Sequence, residues 1–220
     1  MINNIKLKVC GMKNPQNIKQ IAEEIKPDYL GLIFYHKSPR DASDLDASVV
    51  KQLEGIEKVG VFVDESFSFV LEKVKEYGLD LVQLHGDETP SFCQRLKDKG
   101  IKIIKAIGVK GSIYPSQLRD YQNFVDFFLF DTKGENKGGN GVAFDWKVLN
   151  TYSLKIPFIL AGGLSVSNLE NISLLQDLPL HAIDVNSKFE SKAGFKDVEK
   201  LKTLRNKMSQ LQEPTVTNSK

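Results

Sequence analysis

A strand-then-helix alternation, repeated along nearly the whole chain, constrains this sequence more than any other feature. Short β-branched or apolar runs recur as IKLKVC (5–10), DYLGLIF (28–34), EKVGVFV (57–63), LDLVQLH (79–85), IKIIKAIGV (101–109), VDFFLFD (125–131), IPFILAG (156–162) and HAIDVNS (181–187). Stretches between them place apolar residues at helical spacing. Ile18, Ile21, Ala22 and Ile25 follow an Asn14–Pro15 start. Phe67, Val70, Leu71 and Val74 run toward a stop at Gly78. Phe92, Cys93 and Leu96 lie between Thr89–Pro90 and Gly100, and Phe195, Val198, Leu201, Leu204 and Met208 stripe the last helix. Eight such units have one economical solution, closure into a parallel eight-stranded (β/α)8 barrel of the TIM type, usually ~250 residues long. The 220 residues here suffice for it. An open doubly wound sheet is the alternative, but no Gly-rich dinucleotide loop accompanies the strands. The expected organisation is one domain over 1–210, with 211–220 a frayed polar tail lacking periodicity.

Composition removes several classes of function. Hydrophobic residues make up 41% and charged residues 26%, an ordinary globular balance. A formal net charge of +2 gives no case for nucleic acid or an anionic membrane as partner. No charge-free apolar run is long enough to span a bilayer. The start MINNIKLKVC has no apolar core before a cleavage site, so a cytoplasmic protein is expected. Two cysteines, Cys10 and Cys93, make no disulfide framework, and with His36, His85 and His181 they form no zinc-ligand spacing.

Barrel geometry gives meaning to the strand ends, because active sites lie in the loops after the C-terminal ends of the strands. Cys10, Asp131, Gly162–Gly163 and Asn186–Ser187 all stand there, after strands one, six, seven and eight. A cysteine at a strand end is more commonly a small packing residue, and Asp131 taken alone is an ordinary loop cap. Cys93, on a helix face, is read as packing. Alternation adds one specific expectation. In IKLKVC, Ile5, Leu7 and Val9 point one way and Lys6, Lys8 and Cys10 the other. With the apolar set against the helices, Lys8 lies inside the barrel, one layer below the thiol, and a buried ammonium needs a partner. Asp184 and Asn186 share a face of strand eight, which neighbours strand one in a closed barrel. Lys8 is therefore expected to pair with Asp184 and to favour thiolate at Cys10.

Seven ordered segments then carry a family resemblance: KVCGMKNPQN, GLIFYHKSPR, VGVFVDES, VQLHGDE, FLFDTKGENKGGNGVAFDW, ILAGGLSVSN and IDVNSKFESKAGFKD. Together they resemble the phosphoribosylanthranilate isomerases of tryptophan biosynthesis, from about residue 6 to the last helix. The resemblance implies an Amadori rearrangement of N-(5-phosphoribosyl)anthranilate to 1-(2-carboxyphenylamino)-1-deoxyribulose 5-phosphate. This needs an acid at the furanose ring oxygen, a base at C2′ and no cofactor. It implies Cys10 as base and Asp131 as acid. A thiol of pKa ~8.5 needs thiolate favoured, and an aspartate of pKa ~3.9 needs desolvation or a nearby anion. It implies Arg40 as the holder of the anthranilate carboxylate, a planar anion that suits a guanidinium fork. It also implies Gly162, Gly163, Asn186 and Ser187 as the phosphate site. Members occur as monomers and homodimers.

Departures are legible too. Asn186-Ser187-Lys188 stands where the family reads Ser-Ser-Gly, so Lys188 either adds charge at the phosphate or blocks an amide. His36 replaces a frequent proline, and Asn140 a Thr or Ser. Gln83 and His85 share one side of strand four and are read as cavity-lining or structural. The glycine-rich loop 133–141 is expected to close over substrate. Two other readings remain at this point. One is a related histidine-pathway aldose–ketose isomerase, which resembles a two-aspartate arrangement that Cys10 argues against. The other is a barrel that binds a phosphorylated ligand without turning it over.

Overall fold

The structure, a computed structural model, describes residues 5–132 and 144–212. Loop 133–141 and the tail beyond Gln212 lie outside the described residues. Eight strands close a parallel barrel in chain order: β1 (Lys6–Val9), β2 (Tyr29–Phe34), β3 (Glu57–Phe62), β4 (Leu81–Leu84), β5 (Lys102–Val109), β6 (Phe127–Thr132), β7 (Phe158–Leu160) and β8 (Leu180–Val185). β8 pairs with β1, with Lys8 opposite Asp184. Closure leaves no sheet edge, which an open doubly wound sheet would have.

Local chemistry sets the better helices. α1 (Pro15–Glu24) has Asn14 as its cap, accepting from the Asn17 N–H. α3 (Phe67–Tyr77), the second long helix after the short α2 (Ser48–Lys51), is capped by Ser66 and stopped by Gly78 at φ 61°. α4 (Pro90–Lys97) is capped by Thr89, with Pro90 opening its first turn. The shell is less regular than the sequence pattern implies. α2 is one turn, α5 (Pro115–Arg119) is five residues, and the connections after β6 and β7 are 3-10 segments, Trp146–Thr151 and Leu169–Leu175. Their buried residues explain this: Trp146 and Leu149, then Leu169, Ile172 and Leu175, recur every three residues, the period of a 3-10 helix.

Phe195 is not on the last helix. It lies in a two-stranded antiparallel ribbon, β9 (Glu190–Lys192) and β10 (Phe195–Lys196), turned at Gly194 with φ 78°. Asp197 accepts from the Lys200 N–H and so starts α6 (Val198–Gln212) after the ribbon. α6 runs two residues past the boundary expected at 210, with Leu211 packed on the core. Among the described residues no helix is long and apolar enough to cross a membrane.

Two apolar cores result from strand alternation. Leu7, Val9, Leu32, Val82, Phe128, Leu160 and Ile183 face the shell. Tyr29, Val59, Leu81, Ile104, Leu129, Ile159 and Ala182 fill the barrel. Two residues further along three of these strands, on the same inward face, stand Gln83, Asp131 and Asp184. The interior therefore turns polar just below its C-terminal mouth.

Candidate active site

Cys10 leaves the end of β1, its N–H bonded to the Val185 carbonyl of β8. The side chain is buried against Gly31 of β2, where a Cβ would lie 2.8 Å from Sγ. That glycine is the space the sulfur occupies. One layer below, Lys8 is fully buried and its Nζ donates to Asp184 Oδ2 at 2.8 Å. The contact expected from alternation is present. Asp184 Oδ1, also buried, has no hydrogen-bond partner among the described residues.

Lys8 acts on the thiol in the expected direction, toward thiolate, but does not outweigh burial. Burial pushes the Cys10 thiol above its ordinary value; Lys8 pulls it down, Asp184 pushes it up and Lys196 pulls it down. Burial wins because a thiolate has to give up solvation that two nearby ammonium groups only partly replace. Lys8 thus eases thiolate formation without making thiolate the resting state at neutral pH. Burial works to lower the Lys8 ammonium as well, but Asp184 and then Cys10 reverse it, and Lys8 is held above the usual lysine range.

Asp131 stands near the end of β6, on the same rim as Cys10. Its Oδ1 accepts from the Thr132 N–H at 2.7 Å, and Oδ2 lies 3.4 Å from His85 Nε2. The Gln83 amide is 2.9 Å from His85 Nδ1. The other ring nitrogen, Nε2, is the one that faces Asp131. His85 and Gln83, left open by the sequence, therefore form a column against the carboxyl group. Gly162, at φ 81°, completes this seat: a Cβ there would lie 2.5 Å from Thr132 N and 2.7 Å from Asp131 Oδ1.

Gly162 and Gly163 follow β7, and Asn186 and Ser187 follow β8. These strands pair, so the four residues share one side of the mouth. Gly163 has φ 66°, and its carbonyl accepts from the Asn168 amide. The Asn186 side chain is held by Lys196, whose Nζ donates to Asn186 Oδ1 at 2.7 Å. Lys188 is exposed on the short turn Ser187–Phe189 and has no hydrogen bond or ion pair among the described residues.

Arg40 is brought to the same mouth by a partner the sequence reading missed. Its Nε and Nη2 bond Glu190, the shortest contact being 2.7 Å. Both Arg40 Cδ and Asn186 Oδ1 would lie 2.7 Å from a Cβ on Gly11, whose φ is 75°. Glu190 also receives Lys196 Nζ. The available signal was the alternation of ESKAGFK around Gly194, which makes a ribbon with Glu190 and Lys196 on one face. Cys93 is fully buried, its thiol pushed up to about 11 by burial, as fits a packing residue.

Comparison with known proteins gives this rim a family. Residues 7–207 match the family model described as N-(5'phosphoribosyl)anthranilate (PRA) isomerase. A Parabacteroides distasonis protein named N-(5'-phosphoribosyl)anthranilate isomerase is 39% identical over 214 residues, 96% of this chain and 95% of its own. The crystal structure of phosphoribosyl anthranilate isomerase from Thermus thermophilus superposes with a TM-score of 0.80 at 28% identity, covering 94% of this chain and all of the other. A phosphoribosyl anthranilate isomerase crystallised with reduced 1-(o-carboxyphenylamino)-1-deoxyribulose 5-phosphate gives 0.77 at 28% identity, over the same shares of the two chains. The chain thus belongs to the N-(5'-phosphoribosyl)anthranilate isomerase family.

Proposed function

We propose that this protein is the aldose–ketose isomerase of tryptophan biosynthesis, acting in the cytoplasm on N-(5-phosphoribosyl)anthranilate, with Asp131 as general acid and Cys10 as general base. The observation that carries the residue roles is that a buried thiol just past β1 and a carboxyl group near the end of β6 stand at the same rim of a closed barrel. Asp131 gives its proton to the furanose ring oxygen, the C1′–O bond breaks, and a cationic Schiff base forms. Cys10 as thiolate then takes the C2′ proton, and the electron pair of that C–H bond neutralises the iminium as an enolamine. Tautomerisation to the ketone places a proton on C1′ and completes the rearrangement without net redox change. The iminium charge arises beside the sulfur at the step that needs thiolate, and a cation nearby lowers the cost of ionising a buried thiol.

Arg40 is the holder of the aromatic carboxylate in this reading, and the backbone around Gly162–Gly163 and Asn186–Ser187 holds the phosphate. The relative crystallised with the reduced product analogue supports a ligand of this chemistry. Fluorescence decay of phosphoribosylanthranilate tests the roles. Asp131→Asn and Cys10→Ala should each lose at least ~100-fold in kcat while still binding the reduced product. Near-normal turnover by either variant would remove its residue from the mechanism.

A further inference from the structure

Arg40 is one of three charges sealed together at the mouth. Glu190 Oε1 accepts from Arg40 Nε at 3.0 Å, from Lys196 Nζ at 2.5 Å and from the Gly194 N–H at 3.0 Å. Its Oε2 accepts from Arg40 Nη2 at 2.7 Å. Among the described residues this leaves Arg40 Nη1 without a partner. Glu190 is nearly closed to solvent and Lys196 fully so. Lys196 has nowhere else to go. Its backbone N–H and carbonyl are both held by the buried Asn17 side chain of α1, and Nζ is held by Asn186 as well as Glu190. Such an investment in one buried ammonium, which also draws the Cys10 thiol toward thiolate, calls for a reason.

Charge counting supplies one. Arg40 paired with Glu190 alone is a neutral couple with an anion beside it, a poor place for an incoming carboxylate. Lys196 makes the cluster two cations around one carboxylate, leaving a surplus positive charge in a low-dielectric setting where it is felt strongly. Glu190 in turn fixes the guanidinium plane through two of its nitrogens, as a bidentate pair does. Burial works to raise the Glu190 carboxyl, but Arg40 and Lys196 together hold it below the ordinary range, so the carboxylate that clamps Arg40 stays ionised.

We infer that Lys196 is a positioning residue for recognition of the substrate's aromatic carboxylate: through Glu190 it holds Arg40 with Nη1 free, and it supplies the surplus charge that the carboxylate neutralises. This rests on the reading of Arg40 given above. The test uses two inhibitors, reduced 1-(o-carboxyphenylamino)-1-deoxyribulose 5-phosphate and the same molecule without its carboxylate. Wild type should bind the carboxylated one more tightly. Lys196→Met should lose roughly tenfold or more of that advantage, the worth of one charge-assisted hydrogen bond, with binding of the second inhibitor unchanged. If Arg40→Gln abolishes the advantage while Lys196→Met keeps it, the inference falls and the role of Arg40 stands. If Arg40→Gln keeps it, both fall. Equal weakening of the two inhibitors in Lys196→Met would mark a merely structural lysine and overturn the inference. Should Lys196→Met not fold, Lys196→Gln, which retains a donor for Glu190 but no charge, carries the same comparison with the same outcomes.

Discussion

Lys8 and Asp184, 176 positions apart in the chain, meet at 2.8 Å inside the barrel directly beneath the candidate base. The pair is a consequence of closure, since only the joining of β8 to β1 puts these two residues opposite each other. It sets an ammonium below the sulfur and a carboxylate beside that ammonium, with opposite effects on the thiol.

Lys8→Met separates these effects. The substitution keeps the volume but removes the pull toward thiolate, so the activity profile should move to higher pH. It also leaves Asp184 buried without its charge partner, which costs about 3–5 kcal/mol when one member of such a pair is deleted. Urea unfolding and a pH–rate profile check both. An unmoved profile in a folded variant would mean that Lys8 does not act on Cys10.

The wild-type profile has a definite sign. Burial holds the Cys10 thiol above its ordinary value, so the fraction of free enzyme carrying thiolate grows with pH throughout the neutral range. The rising limb of kcat/KM should therefore extend beyond pH ~8.5, the ordinary thiol value. A limb complete by pH 7 would exclude Cys10 as the group that must ionise.

Gly31→Ala tests the seat of the sulfur. A methyl group there falls 2.8 Å from Sγ and 3.0 Å from the Cys10 Cα, so the base has to move. Misplacement of a catalytic group by about 1 Å costs on the order of 100-fold in rate. The expected result is a fall of that size in kcat, with the circular dichroism spectrum unchanged. Full activity would show that the thiol position is not critical.

At the opposite end of the barrel, His181 predicts an acid-sensitive fold. Its ring lies 2.7 Å from the Tyr29 hydroxyl and packs on Phe127. Burial first, then the charge of Lys6, depresses its pKa, with Glu57 and Asp28 working the other way. The unfolded chain therefore takes up the proton first as pH falls. Stability from this group is present above ~6.5 and is lost as pH drops through the folded value. His181→Gln should show a flatter dependence of unfolding midpoint between pH 7.5 and 5. An identical slope in the two proteins would place the acid sensitivity elsewhere.

Much of this molecule is written in local pattern. Alternation and helical spacing reach across only a few residues, so the strands, the caps at Asn14, Ser66 and Thr89, and the stop at Gly78 can be read along the chain. The strand-end positions of Cys10 and Asp131 follow from the same reading, and so does the inward face that pairs Lys8 with Asp184 once closure is assumed. Where local signals were coarse, the reading slipped: a three-residue apolar period became a 3-10 turn, and Phe195 went to a ribbon because Gly194 and Asp197 interrupt the helical stripe.

The sequence by itself determined the barrel and the rim on which its reactive groups stand, because periodicity of side-chain direction is a property of neighbouring residues. Tertiary structure alone decided what each charge does there. Glu190 clamps Arg40, Lys196 is buried behind it, His85 faces Asp131, and the Cys10 thiol keeps its proton despite two ammonium groups nearby. Solvation and Coulomb interactions depend on distances between residues far apart in the chain, and no such distance exists until the strands have closed.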